Sequence, residues 1–251
     1  ITLTYLSIFG VETDKFNSQI TEKIRKFDKN LEVELKKIKL ILDPFQFKLQ
    51  AKTIGTNLIN QSKKIEIENI KTQLSLKSLI EDKFSIENLE ISSKSLELKN
   101  LISFLRLFQN TPELFIMEKA IKKGYLIADI KLEFDSNGNI KSNYKIDGIV
   151  KDVELNVLKK YNLQKLDFIF DYSRNNFLVK DISIKFDKIG FSSKIVSIKK
   201  RNNDFFVDGT FAHVKSDLDK RNIDLLVKQF LPNFEIEKLS LTSNNNFSFE
   251  I

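Results

Sequence analysis

The sequence predicts an α+β fold that is mostly β: a curved antiparallel sheet forming a β-groove (taco-like), with an N-terminal amphipathic helix and short linking helices. Three observations lead to this fold class. An apolar–polar pattern typical of strands recurs along the chain, helical periodicity is confined to short separate stretches, and Asn137-Gly138 lies between two alternating runs. Asn-Gly in that context indicates a two-residue hairpin turn. Strands interrupted by a few helices are typical of antiparallel α+β proteins.

The recurring pattern has two alternating apolar residues, then a polar pair, then two more alternating apolar residues. Alternation at period two predicts a strand with one apolar and one polar face. The polar pair shifts the phase by one residue, so each copy predicts a β-bulge or a tight turn between two half-strands, and bulges curve a sheet. The copies begin at Val33, Ile65, Phe84, Phe177 (with an extra apolar Leu178) and Phe234.

The first elements are an apolar opening and a helix. The opening, Ile1–Val11, is too short to span a bilayer by itself, and it is compatible either with a first strand or buried segment or with the end of a membrane anchor. Residues 12–30 are predicted as an amphipathic helix with Thr13 as its N-cap. Its apolar stripe consists of Phe16, Ile20, Ile24 and Phe27. The stripe is interpreted as an end plug or packing face rather than as a membrane-surface helix.

The remainder, 31–251, is predicted as one elongated β-groove domain with a helical insertion near 99–123. The apolar stripe of the insertion is interrupted at Thr111-Pro112, and Gly124 ends it. A further helical link is predicted between Asp217 and Pro232, over Leu218–Leu231.

Composition narrows the classes of function. The chain of 251 residues has 41 Lys and Arg against 34 Asp and Glu, a net charge of +7. Acidic and basic residues alternate along the predicted strands, which indicates a solvated sheet face rather than a nucleic-acid-binding surface. There is no cysteine, so thiol catalysis, disulfides and cysteine metal sites are excluded.

No motif of enzyme chemistry stands out. His213 is the single histidine, and there is neither a glycine-flanked serine nor a Gly-rich phosphate loop. His213 is therefore interpreted as a satisfied or exposed structural residue. Carboxylates are numerous, but no pair is distinguished from those on the polar strand faces. We expect a protein that is not an enzyme, with no catalytic residue, cofactor or metal.

The apolar strand faces must be covered by a second sheet, by helices or by a ligand. The predicted helices are short, so two possibilities remain open: a closed β-sandwich, or a groove whose apolar face holds acyl chains. For the groove, the alternation predicts lining by apolar residues of both halves of the chain: Ile65, Ile67, Phe84, Ile86, Leu89, Ile91, Phe168, Phe170, Ile182 and Ile184.

Several segments resemble the AsmA-like family of bacterial envelope proteins, relatives of TamB and of chorein-type bridge lipid-transfer proteins. These are the apolar opening into Phe9–Asn17, the helix after it, and Leu31–Leu49 with Asp43-Pro44-Phe45. The predicted strands of Ile65–Leu76 and Phe84–Leu98 resemble the repeated apolar–polar strand pattern of that family. The resemblance covers roughly the first hundred residues. The remaining residues share only the general alternating pattern of apolar and polar positions.

The resemblance implies an N-terminal module of a larger protein that binds or conducts phospholipids between the inner and outer membranes and supports outer-membrane biogenesis. It also implies a single inner-membrane anchor ending within 1–11, with the bulk of the chain in the periplasm. The expected partners are phospholipid acyl chains, the inner membrane and outer-membrane assembly proteins, but not nucleic acid. The alternative is an assembly scaffold for outer-membrane proteins with a closed β-sandwich and no lipid groove.

Overall fold

A computed structural model of the chain gives a fold that is mostly β, as predicted. It describes residues 2–14, 17–45, 48–75, 86–135, 140–157, 161–186, 189–201, 204–226, 228, 232–233, 235 and 237–250. The Asn137-Gly138 turn lies outside these ranges, and its flanking residues Phe134 and Ile140 form an antiparallel bridge.

The first half of the chain contains most of the helices. Its elements are α1 Thr2–Ile8, β1 Val11–Thr13, α2 Asn17–Phe27, β2 Leu31–Glu34, β3 Lys37–Asp43, β4 Lys48–Asn60, β5 Lys63–Ser75, β6 Ile86–Ser93, β7 Leu96–Glu97, α3 Leu98–Leu105, α4 Pro112–Ala120 and β8 Ile121–Glu133.

The second half is dominated by long strands. Its elements are β9 Lys145–Val157, β10 Tyr161–Ser173, β11 Asn176–Phe186, β12 Ile189–Arg201, β13 Asp204–Asp219, α5 Lys220–Leu226 and β14 Lys238–Glu250.

The strands follow one hydrogen-bonding order, β1-β3-β4-β5-β6-β8-β9-β10-β11-β12-β13-β14, with β2 on β4 and β7 on β8. The predicted curved antiparallel sheet is confirmed, and β1 and β14, at opposite ends of the order, do not pair with each other in the described part of the chain. The chain divides into two compact units. Unit 1 comprises 1–119 and 125–148, and unit 2 comprises 120–124 and 149–251.

The bulges predicted from the polar pairs are confirmed in three copies of the pattern. The register against the neighbouring strand shifts by one residue at Glu68 in β5, at Glu87 in β6 and at Asp181 in β11. Asp181 has a φ of 50°, a left-handed conformation that Asp tolerates better than most residues.

The two remaining copies behave differently. In the first, the strand is interrupted between β2 and β3, and both halves pair with β4 in one register. In the fifth, β14 begins at Lys238, and Phe234 and Ile236 lie outside the described residues.

The N-terminal helix of unit 1 is shorter than the predicted range of 12–30. Val11–Thr13 form β1 and pair with β3, so Thr13 lies in a strand and is not the N-cap of α2. The backbone hydrogen bonds of β1 are made with β3, about 25 residues further along the chain. Such a long-range pairing leaves no trace in the helical periodicity of the local sequence. Ile20 of α2 packs against Ile38, Leu49 and Ala51, which confirms its role as a packing face.

The predicted helical insertion near 99–123 is present as two helices, α3 and α4, separated by residues 106–111. It ends earlier than predicted, because Ile121–Glu133 form β8, and Gly124 lies in that strand rather than ending the helix. Phe104 of α3 packs on Ile65 and Ile67 of β5, so α3 covers this part of the apolar face of unit 1. None of the helices within the described ranges is long and apolar enough to cross a bilayer, and α1 has 7 residues.

The last helix is also shorter than predicted. Leu218 lies in β13 opposite Leu239, and α5 begins only at Lys220. Ile223 of α5 packs against Leu218 and Ile189, so the helix closes one end of the apolar face in unit 2.

Candidate functional site

The candidate site is a set of apolar side chains on one face of β10–β14 in unit 2, named here the apolar face. Directly paired residues of neighbouring antiparallel strands point to the same side of a sheet. The register therefore defines rows that run across the strands. The first row is Tyr172, Phe177, Ile198, Val207 and Phe249, and the second is Phe170, Val179, Val196, Gly209 and Phe247.

A third row lies beyond the bulges. It consists of Leu166, Ile184, Phe191, His213 and Ser243. Ile182 is paired with Ser193 between the second and third rows. The register shifts by one residue at Asp181 in β11 and between Ser192 and Val196 in β12. Because of these bulges, the apolar side chains before and after each shift point to the same face of the sheet.

Aromatic rings make up much of the apolar face. Phe170 lies 6.3 Å from Phe168 and 5.9 Å from Phe177, measured between ring centroids. Phe191 and Phe211 are stacked at 5.0 Å. These separations fall within the range of favourable aromatic pairs. The rings form a continuous apolar surface rather than isolated exposed side chains.

Most side chains of the apolar face are half-buried, although Val207 and Val179 are buried and Phe249 remains 47% exposed. Within unit 2, the described helix α5 packs on β13 and β14. No second sheet is described within unit 2, because its strands belong to one hydrogen-bonding order.

The opposite face of the same strands carries ion pairs and other polar side chains, together with the exposed Ile169 and Ile195. Lys180 forms an ion pair with Asp171 at 2.7 Å, and Lys165 lies 3.1 Å from Asp167. The Asp167 carboxylate also accepts a hydrogen bond from the backbone N–H of Asp152. The alternation of lysines and carboxylates is thus the solvated face that the sequence predicted.

Unit 1 also carries ion pairs between exposed lysines and carboxylates. Lys94 Nζ lies 2.9 Å from Glu66 Oε2, and both side chains are about half exposed. The hydrogen bond from Lys94 and its positive charge lower the pKa of the Glu66 carboxyl. Such exposed pairs contribute little to stability.

The predicted lining residues fall into two groups. Phe168, Phe170, Ile182 and Ile184 lie together on the apolar face of unit 2. In unit 1, Ile65 and Ile67 are buried beneath Phe104, and Leu89 and Ile91 are half-buried opposite Thr72 and Ile70. Phe84 lies outside the described residues, and Ile86 is described only by its backbone pairing with Leu74. A lining role for all ten stays a prediction.

Sequence reasoning missed the contribution of β12–β14 to the apolar face. It also missed the environment of His213, which is 3% exposed and has no hydrogen-bond partner for either ring nitrogen among the described residues. His213 is therefore buried rather than exposed, and within the described ranges no group pairs with its ring, so the alternative of a satisfied histidine stays a prediction. The signal that could have located it is its spacing of two residues from Phe211, which places both on one strand face.

Comparisons with models of known families, with curated proteins and with solved structures found no match for this chain.

Proposed function

We propose that this chain is an AsmA-like module of the bacterial cell envelope that binds phospholipids. Its apolar face holds their acyl chains as they pass between the inner and outer membranes and so supports outer-membrane biogenesis. The observation that carries the proposal is the set of apolar rows across β10–β14, which no second sheet covers within unit 2. Contiguous apolar surface of this kind marks sites that bind a lipid, a ligand or a partner.

The length of a row and the free energy of burying methylene groups both favour an acyl chain as the ligand. At about 4.8 Å per strand, a row from β10 to β14 is roughly 19 Å long, comparable with an extended acyl chain. Each methylene removed from water contributes about 0.8 kcal/mol, so a chain that contacts one row over part of its length gains enough free energy to bind.

The N-terminal segment supports a location at the inner membrane, with the rest of the chain in the periplasm. Tyr5, Ile8 and Phe9 are 56%, 65% and 59% exposed, and the rings of Tyr5 and Phe9 lie 5.2 Å apart. Aromatic side chains are enriched where a protein meets the membrane interface. We propose that this segment is the end of the membrane anchor.

A pair of adjacent substitutions tests the proposal. Phe170→Asp places a charge in the second row, whereas Ile169→Asp places it on the opposite face, where Ile169 is 39% exposed. We expect Phe170→Asp to lose most phospholipid from protein purified in mild detergent, and Ile169→Asp to retain the wild-type amount. Native mass spectrometry measures the bound lipid.

Phe170 is 9% exposed, so Phe170→Asp also buries a charge and lowers the stability of the fold. The half-buried Ile184→Asn, with Ser183→Asn on the opposite face as its control, gives a milder version of the same test. Wild-type protein without bound phospholipid, or equal lipid occupancy in each folded variant and its control, contradicts the proposal.

The second candidate function is a scaffold that binds outer-membrane proteins by pairing with their strands. The observation that favours it is β14, a 13-residue strand at the end of the hydrogen-bonding order. An edge strand of this length offers unpaired backbone groups to a partner strand.

A further inference from the structure

His213 is a buried polar side chain on the same face of the sheet as Phe191 and Phe211. It lies in the third row, between Phe191 on β12 and Ser243 on β14. Its ring lies 5.3 Å from the ring of Phe191, which in turn is stacked on Phe211. The imidazole therefore lies against one aromatic ring of a stacked pair, near the end of the apolar face where Ile223 of α5 packs on Leu218 and Ile189.

The burial of the His213 imidazole without hydrogen bonds is unfavourable for the free energy of folding. Only 3% of the residue is exposed, and neither Nδ1 nor Nε2 has a hydrogen-bond partner among the described residues. An imidazole always carries at least one N–H donor, and in its neutral form it also carries one acceptor. A buried polar group without a partner loses its hydrogen bonds to water and gains none in exchange. A bound group that pairs with it recovers this free energy.

We propose that His213 is the polar anchor for the acyl carbonyl of the bound lipid. This inference rests on the proposed function, because it assigns the end of the acyl chain within the same apolar face. The chain lies along the rows, and its carbonyl oxygen accepts a hydrogen bond from the His213 ring. The half-exposed Phe191 ring, which lies against the imidazole, rotates to admit it.

The chemistry recognised is a carbonyl oxygen joined to a long alkyl chain. Two sources provide it: the ester of a phospholipid and the carboxyl group of a free fatty acid. A hydrocarbon of the same length offers the apolar contacts without the carbonyl and is the matched control ligand.

The chain has one histidine, so labelling histidine with ¹⁵N reports on His213 alone. The experiment records the ring ¹⁵N resonances of the full chain with palmitic acid, with dioleoyl phosphatidylglycerol in mild detergent, and with hexadecane. We expect palmitic acid, the phospholipid or both to shift the ring resonances, and hexadecane to bind without shifting them. The pattern of shifts tells the two sources of carbonyl apart.

Affinities provide a second readout. His213→Leu is expected to weaken palmitic acid binding about tenfold, which corresponds to about 1.4 kcal/mol, and to leave hexadecane binding unchanged. His213→Gln retains a hydrogen-bond donor and is expected to recover part of the loss. Ile195→Leu, on the opposite face of β12, should bind like wild type.

Two negative results are distinguishable. If lipids bind but the ring resonances do not move and His213→Leu binds equally well, the anchor is overturned while the lipid-binding function stands. If wild-type protein binds none of the three probes, the proposed function fails and the anchor fails with it.

Discussion

At the scale of single residues, buried hydroxyl groups satisfy backbone donors where the strands change phase. Gly55, with a φ of 67°, interrupts the regular pairing of β4 with β5 opposite Glu68. Next to it, Thr53 Oγ1 accepts a hydrogen bond from the backbone N–H of Ile70 at 3.2 Å and lies 2.8 Å from Thr56 Oγ1. Both threonines are buried. The hydroxyls therefore offset part of the cost of the bulge.

Thr53→Val tests this role. The substitution keeps the shape of the side chain but leaves the Ile70 N–H without the hydroxyl acceptor, and we expect the free energy of unfolding to fall by about 1–3 kcal/mol. Urea unfolding followed by circular dichroism measures it. Thr53→Ser keeps the hydroxyl and should lose less. A Thr53→Val protein as stable as Thr53→Ser contradicts the assignment.

At the scale of elements, the packing of β12, β13 and β14 depends on the absence of a side chain at Gly209. A Cβ added there would lie 2.6 Å from Cζ of Phe247 and 3.0 Å from Cγ2 of Val196. Because Gly209 has no side chain, the Phe247 ring of β14 can lie over β13 in the second row. Three neighbouring strands thus contribute to one continuous apolar surface.

Gly209→Ala is expected to displace the Phe247 ring and to lower the free energy of unfolding by about 1–3 kcal/mol, as overpacking does. Gly190 on β12 provides the matched control, because a Cβ added there meets nothing within 4 Å. Gly190→Ala should be neutral or stabilise by a few tenths of a kcal/mol through the unfolded chain. Thermal unfolding compares the two, and equal melting temperatures would show that the ring adjusts without cost.

At the scale of the whole molecule, the sheet has two ends. β1 is 3 residues long and β14 is 13 residues long. In the described part of the chain β14 pairs on one side only, with β13. Within the described residues, β14 therefore has the longer unpaired edge of the two terminal strands.

Amide hydrogen exchange of the full chain tests whether β14 is free in solution. We expect slow and fast amides to alternate along Lys238–Glu250, because every second N–H points towards β13 and the others point to solvent. The matched control is β11, which pairs on both sides and should be protected throughout. Uniformly slow exchange along β14 would mean that another strand covers it, which favours the scaffold.

Much of the fold could be predicted from local pattern. The polar pairs located the bulges at Glu68, Glu87 and Asp181, because alternation is a direct consequence of strand geometry. Thr111-Pro112 located the break between α3 and α4. The covering of Ile65 and Ile67 by Phe104 could not be predicted, since it joins segments whose spacing in the chain carries no periodic signal.

The local alternation of apolar and polar residues indicated which strands have two faces and that the sheet is antiparallel, and it located the phase changes at Glu68, Glu87 and Asp181 but not those in β12 and β13. Only the tertiary structure decided which residues share a row. Phe170 and Val179 are joined to Val196 and Phe247 by the registers of four strand pairs, and a shift of one residue would turn any of them to the polar face. The burial of His213 between β12 and β14 depends on the same registers, which are set by contacts between distant parts of the chain.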